Sequence, residues 1–254
     1  MFGGRVVAVR PVGALLGLEE HARFEGYRDP NQEFATMVQR RKTRKALRGS
    51  QKASRVVFCQ DAIPWLEAHK GALESITTSI PDASEVGLSK KDYIPFFRNA
   101  ARLCLLATKP TGYTIFLQTD RKQDGWIDKA YLIAGEAEAL GHRTIWHKIA
   151  LRTDVGKTDL FRPTYSHMLC FSQAGPIGKP IADVVHRGPI SYGNAFGAYA
   201  VEFVLQYLRD RGVQEVVDPF VGSGTTLAIA NRLGMRAIGV DIDPAQCKKA
   251  LGAV

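Results

Sequence analysis

No apolar run in this 254-residue chain approaches the roughly 18 residues that a membrane-spanning helix requires, so no membrane span is expected. Cysteine is scarce. The four present, Cys59, Cys104, Cys170 and Cys247, lie far apart with no CxxC pair. They read as reduced core thiols of an intracellular protein and not as a disulfide frame. None of the six histidines has metal-ligand spacing, so no metal is expected. Internal repeats and low-complexity linkers are also missing, which argues against a solenoid or a disordered scaffold. The first eighteen residues contain no acid and carry Arg5 and Arg10, which leaves organellar import open beside a cytoplasmic or nuclear location.

What the chain does have is positive charge. Its net charge is +9 with a pI near 9.5, against an ordinary 45% hydrophobic and 23% charged content. Such a balance favours polyanionic partners. The excess is local: eight Lys or Arg residues and no acid lie between Arg40 and Arg55. Residues 1–54 therefore read as a basic N-terminal extension, with Arg40, Arg41, Lys42, Arg44, Lys45 and Arg48 at the end of a helix-like segment. Two readings stay open there, a phosphate-binding arm and a solvated helix end whose cations suit the helix dipole.

From Arg55 onward, short apolar runs alternate with segments of helical spacing. Strands are expected at Val56–Cys59, Ser75–Ile80 and Tyr113–Leu117, and helices at Ile63–His69, Tyr93–Leu106 and Ile127–Leu140. Thr144–Leu151 and His167–Phe171 read as an antiparallel pair, and Phe196–Leu208 as a helix. The alternation implies an α/β fold with a mostly parallel, doubly wound sheet.

The most specific stretch comes near the end, VQEVVDPFVGSGTTLAIANRLGMRAIGVDID from Val213 to Asp243. It is a strand, glycine turn, helix and strand, and its turn can bring backbone N–H groups close to a ligand. A dinucleotide GxGxxG fingerprint would need a third glycine where Leu227 stands. A phosphate-cradling P-loop would need a Lys where Thr225 follows Gly224. Neither fits.

What these residues resemble is the S-adenosylmethionine (SAM) site of DNA and RNA amino-methyltransferases, whose motif reads DPFxGSGTT. The following GVD step suits that family too. Because the glycine motif comes last, the order resembles that family's circularly permuted class over about residues 55–254. The resemblance implies a permuted Rossmann-like methyltransferase domain, an enzyme using SAM, and nucleic acid as substrate.

It also implies a set of site residues. Asp241 would hold the ribose hydroxyls and Asp61 the adenine amine. Asp218 and Pro219 would bind the cofactor too, and the turn with Phe220, Gly222, Ser223 and Gly224 would face the methionine part. Thr225 and Thr226 would cap the helix and reach the ligand, and Asn194 and Phe196 would close over it.

The catalytic motif departs from the family's Ser/Asp/Asn-Pro-Pro-aromatic pattern. Here it reads Thr78-Ser79-Ile80-Pro81-Asp82, so the aromatic that stacks on a flipped base is replaced by a carboxylate. Losing that platform removes about 1–3 kcal/mol of base binding. Ser79, Pro81 and Asp82 are the expected catalytic residues, with Asp82 either accepting a proton or turning away to cap the loop Ala83–Ser89. Lys109-Pro110-Thr111-Gly112 resembles the family's K-P-G-G turn. Arg121 and Lys122 could touch nucleic acid, and Trp146-His147-Lys148 is either near the target or an edge of the core. The segment 172–196 is too short for a large recognition module. Recognition is then left to the basic extension, to the shape of an RNA, or to a partner protein, and RNA is expected somewhat ahead of DNA. The alternatives are a non-catalytic SAM- or RNA-binding protein and a methyltransferase acting on something else.

Overall fold

The computed structural model describes residues 54–122, 125–190 and 196–253. The basic cluster Arg40 to Arg48 and Asn194 lie outside the described residues.

The elements run β1 (Arg55–Cys59), α1 (Ala62–Ala68), β2 (Leu73–Thr78), α2 (Ala83–Val86), α3 (Lys90–Ala107), β3 (Thr108–Gln118), α4 (Lys129–Ala139), β4 (Arg143–Leu151), β5 (Tyr165–Ser172), β6 (Val184–His186), α5 (Ala198–Asp210), β7 (Glu215–Asp218), α6 (Thr225–Arg232), β8 (Arg236–Asp241) and α7 (Pro244–Gly252). They form one sheet in the order β1-β8-β7-β2-β3-β5-β4-β6. Only β5 runs against its neighbours, pairing antiparallel with β3 and β4. The sequence expectations hold for the parallel α/β core and for the β4–β5 pair. The sequence reading missed two short pieces, α2 and β6.

Helices cover both faces because the central strands are apolar on both sides. In β7, Val216 packs into the cluster under α5 and α6, while its neighbour Val217 packs under α1 and α3. That alternation follows from the period of two along a strand. The K-P-T-G stretch is part of β3, where it bulges: Leu73 to Ser75 of β2 spans the same ladder as Thr108 to Tyr113. Gly112 is needed there, since a Cβ would sit 2.4 Å from the Glu74 carbonyl oxygen.

The absent third glycine of the opening turn is answered from the strand side. Leu227 of α6 packs over Gly239 of β8, where a Cβ would lie 2.9 Å from Leu227 Cδ2 and 2.9 Å from Val221 Cγ2. Gly239→Ala is therefore expected to cost about 1–3 kcal/mol through overpacking. Adding Leu227→Ala should relieve that overpacking, so a double-mutant cycle read by denaturant unfolding should show coupling between the two sites; strictly additive losses would refute this packing account.

Arg55, counted in the basic run, is instead a buried structural cation. It donates to Asn231 Oδ1 at 2.9 Å and to the carbonyls of Ala250 at 2.9 Å and Ala253 at 2.6 Å, closing the end of α7.

Candidate functional site

The strand order reverses between β7 and β2, and ligands of open α/β sheets bind beyond the strand ends at such a point. A cavity of about 540 Å³ opens there. Its wall includes Asp61, Ser79, Pro81, Phe196, Asp218, Pro219, Phe220, Gly222, Thr225, Thr226 and Asp241. Ser223 and Gly224 do not line it. Ser223 faces a different groove, and Gly224, at φ +91°, is pressed against Ala250 with its N–H donated to Val221.

The acids are fixed by the backbone around them. Asp241 accepts from Gly222 N and from Asp243 N, each at 2.9 Å, so it stiffens the glycine turn it faces. Asp61 caps α1, accepting from Ile63 N at 2.8 Å, and also borders the cavity. Asp218 is buried. It accepts from Thr78 Oγ1 at 2.7 Å and Phe220 N at 3.2 Å, tying β2, β7 and the turn together.

The wall holds five acids, Asp61, Glu85, Asp218, Asp241 and Asp243, and no Lys, Arg or His among its described residues. In a chain of net charge +9 this wall is locally acidic and complementary to a cation. It suits the sulfonium and ammonium of SAM, with hydroxyls to donate to Asp241. It repels the phosphates of NAD or a nucleotide.

Burial pushes the Asp218 carboxyl up to about 6. Raised above the ordinary carboxyl value, this group favours folding at low pH, and that contribution is lost as pH rises through about 6. Cation binding has the opposite slope, because it favours the ionised acid. Affinity for SAM is expected to rise several-fold between about pH 5 and pH 7. Asp218→Asn should flatten that rise in calorimetric titrations; an unchanged slope would remove Asp218 from the effect.

Asp82 does not line this cavity. Its carboxylate is buried, bonded by Lys129 Nζ on one oxygen and by Arg162 NH2 at 2.5 Å on the other. Its N–H donates to Glu85 at 2.7 Å at the start of α2. Asp82 borders the smaller, adjoining cavity instead, and its burial cost is offset there by two cations. Lys129 lies under the rings of Tyr93 and Phe97, 5.7 and 5.6 Å from their centroids, and its ammonium is pushed below the usual lysine range by burial.

Ser79 and Pro81 stay at the large cavity. Ser79 also borders a smaller one beside Asp82. The Ile80 carbonyl accepts from Gln118 Nε2 at 3.2 Å and the Pro81 carbonyl from Tyr93 OH at 3.0 Å, so the turn is held from two elements.

At the adjoining rim, Lys122 donates to the Asp159 carbonyl at 3.0 Å and Arg121 pairs with Ile127 in a small bridge. Asp120, behind them, accepts from Lys129 N at 2.9 Å and faces His167 Nε2 at 3.1 Å, whose Nδ1 is 2.8 Å from His147 Nε2. Trp146 packs edge-on against Tyr207 of α5 at 5.1 Å, which is the core-edge reading. Lys129, Arg152, Arg162, Arg187 and His167 were not singled out from sequence, since none stands in a motif.

Residues 200–251 match the family model for N6/N4 methyltransferases, described as DNA methylase. Among solved structures, the cytosine-N4-specific PvuII DNA methyltransferase is similar with a TM-score of 0.62 and 16% identity, over 79% of this chain and 86% of that one. A candidate DNA modification methylase from Thermus thermophilus, complexed with S-adenosyl-L-methionine, gives 0.59 and 20% over 77% and 92%. The M1.HpyAVI–SAM complex gives 0.55 and 14% over 78% and 98%. The chain carries the fold and cofactor motif of a SAM-dependent methyltransferase. No curated protein matches its sequence. In that methyltransferase fold the acid-lined cavity occupies the strand ends that carry the glycine turn. No cluster of three metal-ligating side chains occurs among the described residues, and no described helix is long and apolar enough to cross a membrane.

Proposed function

We propose that this protein methylates an exocyclic amino nitrogen of nucleic acid, with the large cavity as its methyl-donor site. The observation that carries the reading is the wall built on DPFVGSGTT, with five acids and no cation among its described residues. When bound, SAM supplies an electrophilic methyl group on a sulfonium. Asp241 then accepts from the ribose hydroxyls and Asp61 from the adenine amine. Phe220, Gly222, Thr225 and Thr226 border the amino-acid part, and Phe196 closes the cavity. Ser79 Oγ and the second lone pair of the Ile80 carbonyl accept from the acceptor N–H groups and aim the nitrogen.

Residues 1–54, with Arg40, Arg41, Lys42, Arg44, Lys45 and Arg48, serve as a basic arm on phosphates, joined by Arg121 and Lys122. The short segment 172–196 and the missing aromatic favour RNA, or recognition with a partner protein. The names of the similar structures favour DNA and lend the RNA preference no support. A second reading, SAM binding without catalysis, draws on Asp82 standing where the family has its stacking aromatic.

Calorimetry with S-adenosylhomocysteine tests the donor site. Wild type should bind, Asp241→Ala should bind at least tenfold more weakly, and NAD should give no heat. Equal affinities for the two proteins, or binding of NAD, would refute the assignment.

A further inference from the structure

The smaller cavity has the opposite electrostatics. Its wall carries Lys129, Arg152, Arg162 and Arg187 against Asp82 and Glu85. Lys129 and Arg162 are both engaged by Asp82. Arg152 donates to the Pro163 carbonyl at 2.8 Å and lies 3.8 Å from Asp159, a carboxylate 34% exposed to solvent. The Arg187 guanidinium has no hydrogen-bond or ion-pair partner among the described residues.

The backbone of Arg187, by contrast, is locked. Its carbonyl accepts from Tyr199 N at 3.0 Å and Ala200 N at 3.2 Å, and its N–H donates to Leu151 O at 2.9 Å. A Cβ on Gly197 would come within 2.0 Å of that same carbonyl oxygen, so only glycine lets the start of α5 approach this closely. The fold thus brings a guanidinium with no partner among the described residues to the wall of a cavity that the buried Asp82–Lys129 pair also lines. Burial holds the Arg152 guanidinium below the usual arginine range, and the nearby Arg187 charge acts in the same direction.

Size narrows the ligand. The cavity measures about 40 Å³. At roughly 10–15 Å³ for each water, that is room for a tetrahedral oxyanion and not for a nucleobase. Ser79, Glu85 and Phe196 line both cavities, so an oxyanion here would sit next to the methyl donor.

We propose that this cavity binds a phosphodiester of the acceptor strand, beside the nucleotide to be methylated, so that charge replaces the stacking lost with the family's aromatic. The proposal rests on reading the large cavity as the methyl-donor site. Arg187 supplies the donors, and Arg152, Arg162 and Lys129 the surrounding positive potential.

The test compares wild type with Arg187→Gln, each first titrated with S-adenosylhomocysteine and then, saturated with it, with a mixed-sequence single-stranded oligonucleotide across a salt series. The variant should bind the oligonucleotide about tenfold more weakly, with a log–log salt slope shallower by about 0.7, and its affinity for S-adenosylhomocysteine should be unchanged. Unchanged oligonucleotide affinity and slope would overturn the phosphate site while leaving the donor site standing. Inorganic phosphate that binds wild type and not the variant, with the oligonucleotide indifferent to the substitution, would overturn the phosphodiester in favour of a small phosphorylated molecule. Failure of wild type to bind S-adenosylhomocysteine would overturn the underlying reading itself.

Discussion

Asp82→Asn is expected to destabilise the protein by about 3–5 kcal/mol, the cost of leaving a buried cation unpaired. The Lys129 side chain is only 2% exposed and its ammonium lies against Asp82 with aromatic rings beneath it. Burial already pushes Lys129 toward its neutral form, and the charge on Asp82 is the main opposing influence. Without it, Lys129 must lose its proton or draw in water. Arg162, 29% exposed, can turn to solvent and loses less. The double variant Asp82→Asn with Lys129→Met removes the pair together and should recover most of the loss in denaturant unfolding. Additive losses in the two single variants would show that the pair is not coupled. Asp82→Tyr, which restores the family's aromatic, should be destabilised as Asp82→Asn is, because it too orphans Lys129.

Ser79→Ala is expected to lower kcat by about a hundredfold, the scale of a misaimed reacting atom, with folding and SAM affinity near wild type. Ser79 borders both cavities and follows directly on β2, whose last residue, Thr78, bonds Asp218. No described group bonds its hydroxyl, so removing it breaks no hydrogen bond among the described residues. A fall in SAM affinity of similar size would make Ser79 a cofactor contact instead. Normal turnover would leave the aiming of the acceptor nitrogen to the Ile80 carbonyl alone.

The donor side of the site is legible in the sequence because its parts are local. Asp218 to Thr226 is one unbroken stretch, Asp241 ends β8 and Asp61 follows β1, and the resemblance to the permuted amino-methyltransferases implies that these ends meet. The acceptor side is not. Asp82 meets Lys129 and Arg162 from 47 and 80 positions away, and those partners are ordinary cations in ordinary segments. A carboxylate in place of an aromatic therefore reads as a catalytic change, whereas the structure makes it one half of a buried ion pair. Gly239 offers a similar lesson: sequence shows a missing helix glycine at Leu227, and the strand opposite supplies the space. Helix α2 and strand β6 escape periodicity because four and three residues are too few to establish a period against their flanks.

The central claim is methyl transfer to nucleic acid from a cation-selective cavity at the sheet's switch point. The measurement that tests it most directly is incubation of the protein with methyl-labelled SAM and total cellular RNA, DNA or protein. Label is expected in RNA or DNA, on an amino nitrogen by nucleoside analysis, and should be lost with Asp241→Ala. Label in protein alone, or no transfer by a protein that binds SAM, would contradict it.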